Sequence, residues 1–471
     1  MNLQKVVHFA IGPIAAAALG LITLPFVAWF FSVEDVGRLT MMQVVLSLSV
    51  SLFSLAMHQA YVREYHEEDD KNALLKLSML PGLIFLTVTT LVIVLLPYSL
   101  SVLLFGIESE LLTFFLILGV YASFVINFLS HILRMEERGL SFSATKIAPK
   151  IFFILFIALI MLLDLNSDFN TLMLMNTLAV IFSLIIFLWI TKETCIAAIR
   201  KKIDIALMKK MLLFSLPLVA GGLAYWGLTT MDRFFLRSMS GFEELGVYAL
   251  AASLAGAVSV ISTVFSNLWH PTLYKWVQQG VKPDKIQGVI ENMMLAVAVI
   301  WSFVGLFSFI LPLLLPKEYE SIEYLIVACV SMPLFYMLAQ TTGVGIGITR
   351  KSLYSMLASI VAFIANAILN YFLIPKHGAA GAALATVISF FIFFIVRTEA
   401  SSKLWYSLPR KKVYLILLVY TLATTCELLV KNKVPFFSFI WIGTLFFVYL
   451  LFYQRIYANF QLIKKYIKGR S

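Results

Sequence analysis

Asp232 and Arg233 stand at the edge of an apolar run, and Arg237 follows four residues after Arg233. A carboxylate and a guanidinium at the edge of hydrocarbon are costly unless they face each other, a cavity or the lipid headgroups. The spacing places Arg233 and Arg237 on one face if the helix continues. A guanidinium fork makes paired hydrogen bonds to diphosphate or carboxylate oxygens. Asp232 then has two readings, a salt bridge that fixes the chain to a neighbouring helix or an ion-coupling carboxylate. Arg63 and Glu64 close a second apolar run, with His58, Gln59 and Tyr61 just before them. They read either as a solvated interfacial end or as a site for an anionic headgroup. His131 and Arg134, three residues apart, close a third run, and Trp269-His270 a fourth. Histidine titrates near neutrality, so His131 and His270 join Asp232 and Glu64 as ion-coupling candidates. Arg63, Arg134, Arg233, Arg237, His58, Gln59 and Tyr61 are the candidate anion-binding residues.

The elements that must hold these residues are membrane helices. The chain has 471 residues, of which 61% are hydrophobic and 13% charged, and its mean hydropathy is +0.93. So little polar surface cannot cover a water-soluble protein of this size. The net charge of +11 does not mark a nucleic-acid binder, because the basic residues sit in short loops between apolar runs. Runs long enough to span occur at about 6–30, 39–60, 77–97, 111–133, 147–163, 171–191, 211–231, 246–269, 289–312, 322–346, 353–374, 379–397, 413–430 and 435–454. The first is too long for a signal-peptide core and reads as a retained span.

Positive charge sets the orientation. With the N-terminus in the cytoplasm, all but seven of the 36 Lys and Arg residues fall in cytoplasmic segments. The seven are Arg38, Arg233, Arg237, Lys317, Lys376, Lys431 and Lys433. Both termini are therefore expected to be cytoplasmic. The longest connector, Lys192 to Lys210, is basic and mildly amphipathic, suited to the membrane surface. No extramembrane segment is large enough for a soluble active site.

An internal duplication is visible. Val33-Glu34-Asp35-Val36-Gly37 and Phe242-Glu243-Glu244-Leu245-Gly246 coincide at an offset of 209. Each follows a span with an early proline, Pro13 or Pro217, and each precedes a span ending in an aromatic and basic patch. A second echo links Glu137-Arg138-Gly139-Leu140-Ser141 with Thr349-Arg350-Lys351-Ser352-Leu353. These place one six-helix bundle at 1–191, a basic linker at 192–210, a second bundle at 211–400 and two extra helices with a basic tail at 401–471. Parallel repeats of this kind suit alternating access with a site between the halves. Cys195, Cys329 and Cys426 have neither disulfide nor zinc spacing. Gly343, Gly345 and Gly347 alternate, but no βαβ unit surrounds them, so helix unwinding or close packing explains them better than a nucleotide. No metal or cofactor motif is present, and no catalytic one.

Gly12-Pro13, Leu24-Pro25 and Ser32-Val33-Glu34-Asp35-Val36-Gly37-Arg38 resemble the start of polysaccharide-biosynthesis flippases of the O-antigen and exopolysaccharide type. Tyr61-Val62-Arg63-Glu64-Tyr65-His66 is similar to the close of their second helix. Asp232-Arg233-Phe234-Phe235-Leu236 with Gly246-Val247-Tyr248-Ala249 looks like their seventh-helix signature. The resemblance covers about residues 8–400 and implies membership of the multidrug, oligosaccharidyl-lipid and polysaccharide exporter superfamily. It implies an all-α polytopic membrane protein of about 14 transmembrane helices. Two six-helix pseudo-symmetric bundles would surround a central cationic cavity, with two further C-terminal helices. The implied substrate is an undecaprenyl-diphosphate-linked oligosaccharide moved to the periplasmic leaflet of a bacterial inner membrane. Arg63, Arg134, Arg233 and Arg237 are the candidates for its diphosphate. Membrane lipid, H⁺ or Na⁺ and polysaccharide polymerase machinery are the other implied partners. Fourteen spans depart from the simplest members and are similar to the lipid II flippase branch, but the first-half motifs fit the O-antigen type better. A cation-coupled multidrug exporter of the same fold is the nearest rival. A polysaccharide polymerase or ligase is a weaker one, since the outer loops are short and poor in basic residues.

Overall fold

The computed structural model describes residues 3–164, 167–281, 283–407, 409–430 and 439–468. The predicted positions of Lys282, Lys431, Lys433 and Arg470 lie outside them. The described chain is helical, without a strand among the described residues. It divides into two compact units, Met1–Ala249 and Leu250–Ser471.

The first unit holds α1 (Leu3–Ala28), α2 (Val33–Phe53), α3 (Met57–Glu64), α4 (Lys71–Leu95), α5 (Leu100–Phe105), α6 (Glu110–Met135), α7 (Gly139–Leu162), α8 (Phe169–Ile190), α9 (Lys192–Arg200) and α10 (Ile205–Met239). It also takes the start of α11 (Phe242–Gln278), through Ala249. The second unit holds the rest of α11, then α12 (Pro283–Phe307), α13 (Ile322–Cys329), α14 (Ser331–Thr342), α15 (Val344–Ile348), α16 (Leu353–Leu404), α17 (Lys411–Val430) and α18 (Ile440–Lys468). Twelve helices among the described residues are long and apolar enough to cross a membrane. One is α16, which breaks at Gly378 (φ 53°, ψ −129°) and so carries two predicted spans. With α1, each of the fourteen predicted spans has a helical counterpart.

Polar residues start the helices where the sequence places them. Ser32, Asp70, Ser109, Asp168 and Asp204 each accept a bond from the backbone N–H three residues on, satisfying a donor the helix leaves open. Between helices in lipid there is little hydrophobic driving force, so close approach through small residues matters more. In the first unit α1 runs along α7, α7 along α8, α8 along α6, and α2 lies against α6 and α10. A Cβ on Gly12 would stand 2.6 Å from the Ser143 Cα, and the Ser143 hydroxyl accepts from the Gly12 N–H at 3.0 Å. In the second unit, Gly305 lets the Trp441 ring onto α12. The Ser302 hydroxyl lies 2.7 Å from the Tyr420 hydroxyl and 3.2 Å from that of Thr444. Trp441 Nε1 donates to the buried Glu427 at 2.7 Å. The last two helices are therefore sewn to α12 by a buried polar network.

Three differences from the sequence reading bear on function. The second predicted span, 39–60, is interrupted. Leu55 (φ 48°) and Ala56 (φ 52°) are both left-handed and split α2 from α3. Such backbone costs about 1–2 kcal/mol per L-residue, so tertiary contacts must hold it. One of them is Gly82, where a Cβ would lie 2.2 Å from the Phe53 carbonyl oxygen. Next, α10 runs to Met239, two turns beyond the predicted end, so Asp232, Arg233 and Arg237 share one continuous helix. Finally, the 192–210 connector contains α9, pinned to α4. Lys76 Nζ donates to the carbonyls of Ile199 (2.9 Å) and Lys201 (2.7 Å), and Lys201 pairs with Asp70 at 2.8 Å. The Lys201 hydrogen bond holds the Asp70 carboxyl below its ordinary value.

Candidate functional site

The break after α2 sets α3 on a new axis, and this is what brings His58 against His131 of α6. Their rings stack with centroids 4.8 Å apart. Arg134, one turn after His131, and Lys146 of α7 both lie within electrostatic reach of His131, and Lys146 also reaches His58. Among the described residues, neither Arg134 nor Lys146 has a carboxylate within 4.0 Å. Nδ1 of each histidine is buried without a hydrogen-bond partner. One end of the first unit therefore concentrates two basic side chains and two imidazoles, drawn from three helices. Like charges at such separations repel, and a bound anion removes the repulsion.

The remaining candidates on α3 divide by environment. Tyr61 is buried and meets Tyr65 edge-on at 5.5 Å. Gln59 is exposed. Glu64 is buried, with Lys210 of α10 at 2.6 Å from its Oε2 and Arg63 Nε at 3.6 Å from its Oε1. The Arg63 guanidinium lies 4.3 Å from the centroid of the Phe214 ring. Arg63, Glu64 and Lys210 thus form a clamp between α3 and α10, anchored by a buried carboxylate.

At the opposite end of α6 the basic residues are differently placed. Asp232 is buried and accepts from the Tyr248 hydroxyl and, at 2.9 Å, from the Arg233 N–H. Arg233 Nη1 donates to the Thr229 carbonyl at 2.9 Å and lies 3.5 Å from Asp232. Arg237 donates to the Val102 carbonyl at 3.2 Å. Arg38 bridges Glu34 and Asp35, both at 2.8 Å, and donates to the Phe105 carbonyl at 3.1 Å. The Phe242 ring centroid has Arg38 at 5.0 Å and Arg237 at 5.4 Å. Arg233 and Arg237 share a helix, as their spacing predicts, but each is bonded to a separate carbonyl.

The duplicated stretch lies at this end too. A Cβ on Gly37 would stand 2.1 Å from the Phe242 carbonyl oxygen, and one on Gly246 would stand 2.2 Å from that of Val33. Val33 and Phe242 are equivalent at the offset of 209, as are Gly37 and Gly246. The contact is therefore reciprocal, with equivalent residues exchanging roles. The acidic pairs Glu34-Asp35 and Glu243-Glu244 occupy the first turns of α2 and α11, where the helix dipole favours negative charge. The echo is thus a structural contact. The second echo is displaced by one residue. Its left-handed corner residues are Glu137 and Arg350, each at φ 57°.

The family described as polysaccharide biosynthesis protein matches residues 3–277, which include α1 through α10 and nearly all of α11. The chain belongs to this family. No curated protein matches the sequence. Among solved structures, the lipid II flippase MurJ in an inward closed conformation is similar at 15% identity. It covers 98% of this chain and 100% of its own, with a TM-score of 0.68. A multidrug resistance MATE family transporter of the MOP superfamily is similar in its inward-facing conformation at 13% identity. That match covers 85% of this chain and 98% of the other, with a TM-score of 0.55. Its outward-facing counterpart gives 0.53 at 14% identity, over 85% of this chain and 95% of that one. The protein is thus a multi-pass membrane member of the polysaccharide biosynthesis family with the fold these transporters share.

Within this family member, Lys146 is the residue that span counting misses. Read as a loop charge that sets topology, it instead lies two turns inside α7. The signal was its spacing from Lys150, one turn further on. Lys150 Nζ reaches the Ala16 carbonyl of α1 at 2.5 Å beside Gly20. His270 belongs to the second unit, close to Arg397.

Proposed function

We propose that the protein flips undecaprenyl-diphosphate-linked oligosaccharide repeat units, of O-antigen or another surface polysaccharide, from the cytoplasmic to the periplasmic leaflet. The observation that carries this reading is the basic cluster of His58, His131, Arg134 and Lys146, with no carboxylate paired to either cation. A diphosphate supplies the missing counter-charge, and Arg134 supplies a fork for its oxygens. The prenyl tail stays in lipid while the sugar headgroup is shielded, since unpaired polar groups are costly in hydrocarbon. Alternating access moves the headgroup. An inside-negative potential favours outward movement of the anion by about 2.3 kcal/mol per charge per 100 mV, and H⁺ or Na⁺ exchange can add to it. The charge distribution of the loops favours both termini in the cytoplasm, and the resemblance to O-antigen flippases implies a bacterial inner membrane.

A second reading, a cation-coupled multidrug exporter, draws on the likeness to the MATE fold. An unpaired cationic cluster repels cationic drugs, and this favours the lipid-linked anion. The test is deletion in the native host, followed by extraction of lipid-linked glycan and a sidedness assay. Repeat units held on the cytoplasmic leaflet, with surface polysaccharide lost, support the flippase. Intact surface glycan with altered drug resistance supports the exporter. Unpolymerised single units on the outer leaflet indicate a polymerase.

A further inference from the structure

The second unit contains an open cavity of about 550 Å³ lined by His270 and Tyr274 of α11, Gln340 of α14, Gly343, Val344, Ile346 and Gly347, Arg350, Ser352 and Ser355 at the start of α16, and Arg397 near its end. Two arginines line it and, among the described residues, no carboxylate does. The alternating glycines shape it. A Cβ on Gly343 would stand 2.8 Å from Arg397 Nε, and one on Gly347 would stand 2.6 Å from the Tyr274 hydroxyl. Gly345 takes a bond from its own N–H to the Ser401 hydroxyl at 2.8 Å. With any larger residue at 343 or 347, Arg397 and Tyr274 would be displaced.

Arg397 is preoriented. Its Nη2 donates to the Gln340 side-chain oxygen at 2.7 Å, and Gln340 donates to the Tyr336 hydroxyl at 2.7 Å. The guanidinium also lies 5.7 Å from the Phe393 ring centroid. Arg350 is exposed and sits at a left-handed corner (φ 57°), a backbone that glycine would adopt without strain. The corner is closed by Arg350 N–H to the Gly347 carbonyl and Lys351 N–H to the Ile346 carbonyl, both at 3.1 Å. Ser352 and Ser355 add hydroxyls to the same wall.

We propose that this cavity is a binding site for a phosphate-class anion, with Arg350 and Arg397 as its charged groups and His270, Tyr274, Ser352 and Ser355 as hydrogen-bonding partners. Two guanidiniums facing one open cavity match the several oxygens of a diphosphate, and its volume admits a diphosphate with an attached sugar. The site stands on the second unit alone and does not depend on the transport reading.

The test is equilibrium binding to the full chain in nanodiscs of zwitterionic lipid, carried out in an Arg134→Gln/Lys146→Gln background so that the first unit's cluster does not contribute. The probes are inorganic pyrophosphate, farnesyl diphosphate and farnesol. Arg350→Gln and Arg397→Gln are each expected to weaken diphosphate binding roughly tenfold, since each removes a charge-assisted contact. Arg350→Gln changes an exposed side chain and so keeps the test independent of folding. Binding of both diphosphates, lost in the variants, supports the site for the shared chemistry. Loss confined to farnesyl diphosphate assigns it to a lipid headgroup, and loss confined to pyrophosphate assigns it to a soluble phosphate. Unchanged affinity in both variants, equal binding of farnesol, or no diphosphate binding at all overturns the proposal. Because the readout is binding, intact surface glycan in the deletion strain would refute the flippase reading and leave this result standing.

Discussion

The two basic ends of the first unit look alike in sequence and differ in structure. At one end Arg38, Arg233 and Arg237 are bonded to carboxylates or backbone carbonyls, and Asp232 is held by Tyr248. At the other, Arg134 and Lys146 lie near two stacked histidines with no carboxylate paired to them. Charged residues at the ends of spans are ambiguous until their partners are known. Partnered charges brace the helices, whereas unpartnered like charges raise the energy of the unliganded protein and fall to a ligand of opposite sign.

The comparison breaks first at the glycines of the braced end. Gly37→Ala and Gly246→Ala each drive a methyl into a backbone carbonyl that cannot rotate away. Each should destabilise the fold by more than about 3 kcal/mol, read as loss of the monodisperse peak in fluorescence-detected size exclusion. Because the contact is reciprocal, the two losses should be alike. Asp232→Ala comes next. It strips a buried group from Tyr248 and Arg233 at a cost of about 3–5 kcal/mol, seen as a lowered Tm in detergent. Asp232→Asn should lose less, since its amide oxygen still accepts from Tyr248. Arg38→Gln, which removes two ion pairs on a partly exposed side chain, should cost about 1 kcal/mol. At the other end, Arg134→Gln with Lys146→Gln should leave Tm unchanged or slightly raised, because it relieves repulsion. A clear fall in Tm for that pair would show that both ends are structural.

The spans were legible in the sequence because hydrocarbon excludes unpaired backbone, so length and apolarity alone mark a crossing. The duplication was legible as well, through an acidic pair at a helix start and a glycine at a helix contact. The α2–α3 break was not. Its left-handed residues are Leu55 and Ala56, and no Gly or Pro marks it. That break carries His58 to His131, so the partnership of the two histidines was also hidden. Arg233 and Arg237 were read correctly as sharing a face, but their carbonyl partners, Thr229 on their own helix and Val102 on another, are set by packing that spacing cannot reveal. Arg397 and Arg350 were counted as topology-setting charges. Only the packing of Arg397 over Gly343 and of Tyr274 over Gly347 places the two arginines around one cavity.

The most direct test of the account is the sidedness of lipid-linked repeat units in native-host cells carrying Arg134→Gln/Lys146→Gln, at membrane protein levels equal to wild type. The account predicts that repeat units accumulate on the cytoplasmic leaflet and that export falls at least about tenfold, the effect of losing charge-assisted contacts to a diphosphate. Export at the wild-type rate would contradict it.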